Sequence, residues 1–351
     1  MDAPLRGTPP RGILPRMTTL LLSHLDVARF LPVPDCIDVM ADALRSVAEG
    51  KAQLPLRTVL RLEGTPNAFG TMPAIVGEGS QAAIGAKVIT VFPGNEATPF
   101  DSHIGVVLLF DAAHGTLLAI ADASSITAIR TAAVSGLATR LLANDDASEL
   151  ALLGAGVLAL PHLQAVCAVR PIRKVRVWSR SGARAEAFAE RARRHSSAEI
   201  VVSSTAREAV AGADVVCTIT GARTPILEGA WLAPGTHVNA VGASLPVARE
   251  LDASAVARAR MFVDRRESTL KESGDFLFAR DEGAIDDSHI RGELGDVLLK
   301  RVAGRKERGD ITLFKSLGLA VEDVAALRHI YTQALAAGAG TAVSLGGLRS
   351  E

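Results

Sequence analysis

The chain has 351 residues, more than one core of ordinary size supports, which predicts two domains. It is 48% hydrophobic and 22% charged, and 38 basic residues balance 38 acidic ones, so bulk attraction to nucleic acid or an anionic membrane has no basis. No apolar run reaches the ~20 residues that span a bilayer, and three scattered cysteines, Cys36, Cys167 and Cys217, give no disulfide framework and fit a reducing, cytoplasmic compartment.

Residues 1–16 combine prolines, glycines and arginines without the apolar core of a signal peptide and read as a disordered tail, with Met17 a candidate start. Residues 17–50 read as helical, with Val39, Ala43 and Val47 at helix spacing after Pro32 and Pro34. Leu54 to Leu62 alternates: Leu56, Thr58 and Leu60 on one face, Arg57, Val59 and Arg61 on the other. Lys87–Phe92, Ile104–Phe110 and Thr116–Ala121 are further strand-like runs, with a turn over 111–115. Residues 50–122 therefore predict a mostly antiparallel sheet.

A long helix is expected over 124–143, with Ser124 and Ser125 as N-caps. Its stripe of Ile126, Ile129, Ala133, Leu137 and Leu141 is bordered by Arg130, and its many small residues predict close packing. From 149 onward strands alternate with helices: strands at 149–153, 174–178, 199–202, 215–220, 237–241 and 261–263, helices at 157–169, 182–194 and 206–211. That rhythm implies a parallel sheet with right-handed crossovers. An amphipathic helix closes the pattern at about 320–336. The fold class is thus α/β, a Rossmann-type doubly wound sheet plus a separate α+β domain.

Gly154-Ala155-Gly156-Val157-Leu158-Ala159 has the G-x-G-x-x-A form of a dinucleotide fingerprint. Gly154 permits the tight turn, Gly156 lets backbone approach a pyrophosphate, and Ala159 allows close packing of helix on strand. It leaves a buried strand and enters a helix, the context in which backbone N–H groups face phosphates. The end of the second strand lacks the acidic residue that would hold a ribose 2′-hydroxyl. Ser179-Arg180-Ser181 stands there, two hydroxyls and a guanidinium that suit a phosphate. Taken alone, Arg180 also fits a solvated surface residue. NADP(H) is favoured, with NAD(H) possible. Thr218, Thr220, Val241 and Gly242, at the ends of two later strands, complete the expected cofactor site.

The segments Lys87-Val88-Ile89-Thr90-Val91-Phe92-Pro93-Gly94-Asn95, Thr127-Ala128-Ile129-Arg130-Thr131-Ala132-Ala133, Asn239-Ala240-Val241-Gly242-Ala243-Ser244 and Phe314-Lys315-Ser316-Leu317-Gly318-Leu319-Ala320-Val321-Glu322-Asp323 resemble the ornithine cyclodeaminase/mu-crystallin family, in order, from about 20 to 340. The resemblance implies a homodimer. It also implies a substrate and dimerisation domain from 17–123 and 320–351, and a dinucleotide-binding domain over 124–319. It implies redox chemistry at the carbon of a small imino or amino acid.

By the same resemblance, Arg57, Lys87 and Arg130 are the substrate cations. Arg57 and Arg61 also fit a solvated strand face, Lys87 a solvated strand edge, and Arg130 an internal ion pair. A desolvated Lys87 would hold a carboxylate or move a proton. His103 follows Ser102 where family members often carry Ser-His-Gln, with Ile104 here replacing the Gln; His103 is either a site member or a loop residue. Leu158 also departs from the common Gln. Ser244 stands where cyclodeaminating members usually have an aspartate. Serine is uncharged and a poor base, so Ser244 argues against ornithine cyclodeamination and for NAD(P)H-dependent reduction of cyclic ketimines, Δ1-pyrroline-2-carboxylate and Δ1-piperideine-2-carboxylate. Ornithine cyclodeaminase or another amino-acid dehydrogenase of the family, and a non-catalytic, cofactor-dependent small-molecule binding protein, are the alternatives. The sequence holds no H-E-x-x-H and no C-x-x-C, so no metal is expected.

Overall fold

A computed structural model describes residues 18–347. The expected tail through Arg16 and the candidate start at Met17 lie outside the described residues. Two sheets organise the chain. The first contains, in spatial order, Thr341–Val343, Thr19–Leu22, Leu117–Asp122, His103–Phe110, Ala83–Val91 and Ala68–Val76, with Ala52–Gln53 and Thr58–Arg61 both pairing the last. All its pairings are antiparallel except Thr19–Leu22 with Leu117–Asp122.

Several elements differ from the sequence expectation. The 17–50 segment is not all helix: Thr19–Leu22 is a strand, followed by helices His24–Phe30 and Val33–Ala48. Ser23 accepts the Asp26 N–H while Asp26 accepts the Ser23 N–H at 2.8 Å, a capping box that starts the first helix after the strand. Pro34 breaks nothing, because it lies in the first turn of its helix, where no N–H is needed. The 54–62 alternation is a strand only over Thr58–Arg61, so Arg57 lies just ahead of it. Ala68–Val76 is a strand the sequence hid behind Gly70 and Pro73. Pro73 lies opposite the gap between Ala52–Gln53 and Thr58–Arg61, where its missing donor has no partner to lose.

The second sheet is wholly parallel. Its order is Glu199–Val202, Lys174–Trp178, Glu149–Leu153, Val215–Thr218, His237–Ala240, Thr312–Lys315, Arg260–Val263 and Ile290–Glu293. The order reverses between Glu149–Leu153 and Val215–Thr218, the switch point at which α/β sheets bind ligands. Helices cover both faces. Leu150 and Leu152 pack with Leu163, Val166 and Phe188 on one side, and Ala151 and Leu153 with Ala209, Val256 and Phe276 on the other. A buried parallel strand carries no alternation, which hid Thr312–Lys315 from a pattern search; Ile290–Glu293, at the edge of the sheet, is only four residues long.

Helix Ala123–Leu142 is capped by Asp122, whose carboxylate accepts the Ser125 N–H at 2.8 Å; neither Ser124 nor Ser125 is the cap. Ser124 instead donates to the His103 carbonyl. Ala132, Ala133, Gly136 and Ala138 are buried, and a Cβ on Gly136 would come within 2.9 Å of Ile37 and 3.1 Å of Ala165. The expected close packing is therefore present, against the helices Val33–Ala48 and Ala159–Val169. Helix Ala320–Ala336 returns to cover the inner face of the first sheet, where Val324 packs over Gly85.

Candidate functional site

The phosphate loop lies at the switch point. Gly154 has φ +127°, and a Cβ there would sit 2.7 Å from the Ile219 carbonyl oxygen, so the turn excludes any other residue. Gly156 has nothing within 4 Å of its Cβ position, which leaves the backbone open. The expected helix start at 157 is a turn closed by Ala159 N–H to the Gly156 carbonyl, and the helix proper is Ala159–Val169. Among the described residues, no hydrogen bond engages the N–H groups of Ala155, Gly156, Val157 or Leu158. An open backbone with free donors fits a pyrophosphate. Buried His162 steadies the loop, with one ring nitrogen 2.8 Å from the Leu158 carbonyl and the other 3.1 Å from Ser135 Oγ.

Beside the loop, an open cleft of about 570 Å³ is lined by Ser179, Arg180, Glu186 and Val202–Ser204. Ser181 caps the helix Gly182–Ala192 by accepting the Arg184 N–H, so its hydroxyl already has a partner. Arg180 is exposed and makes no ion pair among the described residues. Glu186 brings a carboxylate to the same cleft, a feature the sequence reading missed. Thr218, Thr220 and Gly242 lie at or just beyond the carboxyl ends of two central strands, and all three donate hydrogen bonds to the buried carboxylate of Glu250. Val241 is buried among apolar neighbours.

The three side chains expected to bind substrate, Arg57, Lys87 and Arg130, converge on one segment, 317–323. Lys87 occupies an inward position of its strand, in register with Met72 and Val107, and its Nζ pairs with Asp323 Oδ2 at 2.8 Å. It is 3% exposed and is no edge lysine. Burial pulls its pKa down to about 8, with Arg130 and Arg57 adding to the effect and Asp323 opposing it. Arg130 Nε donates to Asp323 Oδ1 at 2.9 Å and its NH1 to Glu322 Oε2 at 2.7 Å. Burial pushes the Glu322 carboxyl up to about 7 against the pull of Arg130. Burial also opposes ionisation of Asp323, but Arg130 and Lys87 hold it below the ordinary carboxylate value.

Arg57 donates to the Leu317 carbonyl at 2.9 Å and pairs with Glu272 at 3.2 Å. Gly318, at φ +80°, is the platform between the two arginines: its carbonyl lies 3.4 Å from Arg57, and a Cβ would sit 2.5 Å from Arg130 NH1. Asp264 fixes this platform by accepting the N–H groups of Leu317 at 2.6 Å and Gly318 at 2.7 Å.

Glu272, Glu322, Asp323 and Asp264 were invisible as site members in the sequence. Acids at the start of a helix read as complements to its dipole, which disguised the ion pairs of Glu322 and Asp323. Glu272 is partly buried, and burial raises its pKa while Arg57 opposes the shift. His103 keeps an exposed face. Its ring sits 2.9 Å from Ser102 Oγ, and partial burial together with the Lys87 charge lowers its pKa. Ser244 is half-buried and makes no side-chain hydrogen bond among the described residues. No described group of three or more His, Cys, Asp or Glu side chains is placed to hold a metal, and no described helix is long and apolar enough to cross a membrane.

Comparison with known proteins gives the same picture. The ketimine reductase mu-crystallin of Mus musculus is 41% identical over 283 residues, 81% of this chain and 86% of that one. A Δ1-pyrroline-2-carboxylate reductase of Bacillus cereus is 35% identical over 322 residues, 92% and 98% of the two chains. The structure of Thermococcus litoralis Δ1-pyrroline-2-carboxylate reductase, in complex with NADH and L-proline, superposes with a TM-score of 0.90 at 38% identity, covering 93% of this chain and all of that one. The sequence pattern of a single family matches residues 17–338. With its parallel sheet, glycine turn and returning helix, the chain belongs to the ornithine cyclodeaminase/mu-crystallin family.

Proposed function

We propose that this protein is an NAD(P)H-dependent reductase of cyclic ketimines, converting Δ1-pyrroline-2-carboxylate to L-proline and Δ1-piperideine-2-carboxylate to L-pipecolate. The observation that carries the reading is the convergence of Arg57, Lys87 and Arg130 on segment 317–323, with a buried lysine poised near neutral pH. The named activities of the two curated relatives support it, as does the L-proline in the Thermococcus litoralis complex. Uncharged Ser244 speaks against cyclodeamination, which calls for a carboxylate to hold a free amine.

The backbone of Gly154–Ala159 would hold the pyrophosphate, and Ser179 and Arg180 would face the adenosine ribose, with Ser181 capping the helix beside them. Arg180 favours NADP(H), while Glu186 works against a 2′-phosphate; the lack of an acidic residue over 179–181 tips the balance toward NADP(H). When bound, the nicotinamide supplies the hydride for the C=N carbon. Arg57, Lys87 and Arg130 hold the substrate carboxylate, Arg57 through its planar fork. A protonated iminium needs no further proton. A neutral imine takes one at nitrogen, from Lys87 Nζ or from the carboxyl of Glu272. Among the described residues, those within 17–123 and 320–351 form the substrate and dimerisation unit, and 124–319 the dinucleotide unit. A homodimer forms through the outer face of the first sheet, where the cross-strand rows Thr71–Val88–Val106 and Pro73–Ala86–Leu108 present an apolar surface.

The test is oxidation of NADPH and NADH by the purified protein with each ketimine. Failure to turn over either compound with either cofactor ends the reading.

A further inference from the structure

Glu250 is fully buried and accepts five hydrogen bonds. Its Oε1 takes the Thr220 N–H and hydroxyl, both at 2.7 Å. Its Oε2 takes the Thr218 hydroxyl at 2.9 Å and the N–H groups of Gly242 at 2.7 Å and Ala243 at 3.2 Å. The donors come from the ends of two adjacent parallel strands, Val215–Thr218 and His237–Ala240, and the turns that follow. The turns touch: a Cβ on Gly242 would lie 2.1 Å from the Thr220 carbonyl oxygen and 2.6 Å from Glu250 Oε1.

A second tier holds Glu250 itself. Asp275 Oδ1 accepts the N–H groups of Glu250 at 2.8 Å and Leu251 at 3.0 Å, while its Oδ2 pairs with fully buried Lys315 at 2.8 Å. Lys315 also donates to the Ala243 carbonyl at 2.7 Å. Ala243 is thus gripped at both its N–H and its carbonyl, and the peptide leading into Ser244 has no freedom to turn.

In a doubly wound sheet the dinucleotide straddles the switch point. Ser179–Ser181 lie on one side of the phosphate loop, at the adenosine end; the turns at Thr220 and Gly242–Ser244 lie on the other. Resting on the cofactor reading above, we infer that Glu250 is a positioning residue for the nicotinamide half of the cofactor, holding both turns in one arrangement through its two oxygens. A glutamine cannot replace it, because one end of the amide would point N–H groups at fixed N–H donors.

The inference is tested by titrating the full chain with NADPH and NADH, and with 2′,5′-ADP and 5′-AMP as adenosine-half fragments. Glu250→Gln raises the dissociation constant of the dinucleotide about tenfold and leaves that of its fragment unchanged. Thr218→Val removes one donor at constant shape and moves the dinucleotide alone in the same direction by a smaller factor, which keeps the test alive if the first variant does not fold. Folded variants that bind the dinucleotide as tightly as the wild type, or that weaken dinucleotide and fragment alike, overturn the inference while the cofactor reading stands. A wild-type chain that binds neither dinucleotide overturns both.

Discussion

Asp323 sits between Lys87 and Arg130 and gives one oxygen to each, at 2.8 Å and 2.9 Å. Burial favours the neutral amine of Lys87; the Asp323 carboxylate is the chief influence keeping it an ammonium. The pair therefore governs a protonation state as well as a position.

If Lys87 delivers the proton, reduction is full below about pH 8, where Lys87 is protonated, and falls as pH rises through that value. Asp323→Asn removes the influence that raises the lysine pKa, so the falling limb of kcat/KM moves to lower pH. Lys87→Met costs about 10²–10⁴-fold in kcat/KM. A profile flat across pH 7 to 10 would exclude Lys87 as the acid.

Arg57→Lys keeps the charge and discards the planar fork. The expected result is a rise in KM for the ketimine of about ten- to a hundredfold, with the cofactor dissociation constant unchanged. Steady-state kinetics with calorimetric cofactor titration separates the two.

Gly318→Ala and Gly50→Ala compare strain alone with strain plus collision. Both glycines have positive φ, +80° and +74°, but Gly50 has open space around it while Gly318 faces the Arg130 guanidinium. Gly50→Ala is expected to cost about 1 kcal/mol and Gly318→Ala about 3 kcal/mol, read from urea midpoints at constant m-value.

Arg180→Ala weakens NADPH about tenfold or more and leaves NADH untouched, as loss of one charge-assisted contact to a 2′-phosphate requires. Glu186→Gln acts in the opposite direction. Equal effects on both cofactors would remove Arg180 from the phosphate site.

Val88→Asp and Val106→Asp place charges opposite each other on the outer sheet face. Light scattering should then report a monomer where the wild type gives a dimer. A wild type already monomeric at micromolar concentration would refute the proposed assembly.

Much of the second sheet was legible, because Glu149–Leu153, Lys174–Trp178 and Glu199–Val202 are punctuated by helices and turns that fix their limits. Thr312–Lys315 was missed: four residues without alternation carry little signal, although the strand lies between two others. Lys87 and Arg130 were found through family-like segments, but their counterions were not. An ion pair between positions 130 and 323 leaves no local pattern, and only the fold brings Arg130 to Asp323. Arg57 was expected on a strand, yet it works from the segment before one, where its reach is set by the Leu317 carbonyl.

The returning helix has a bearing on how the protein is made. Arg130 and its partner Asp323 are separated by 193 positions, and Lys87 is more distant still. During synthesis both cations emerge long before the acids that neutralise them, so the surroundings of Lys87 and Arg130 cannot close over them until those acids arrive. Contacts of such separation slow folding. Final closure of the helix over that sheet is expected to be a late event, and a chain interrupted before residue 320 would leave the ribosome with Lys87 and Arg130 still hydrated and the site unformed.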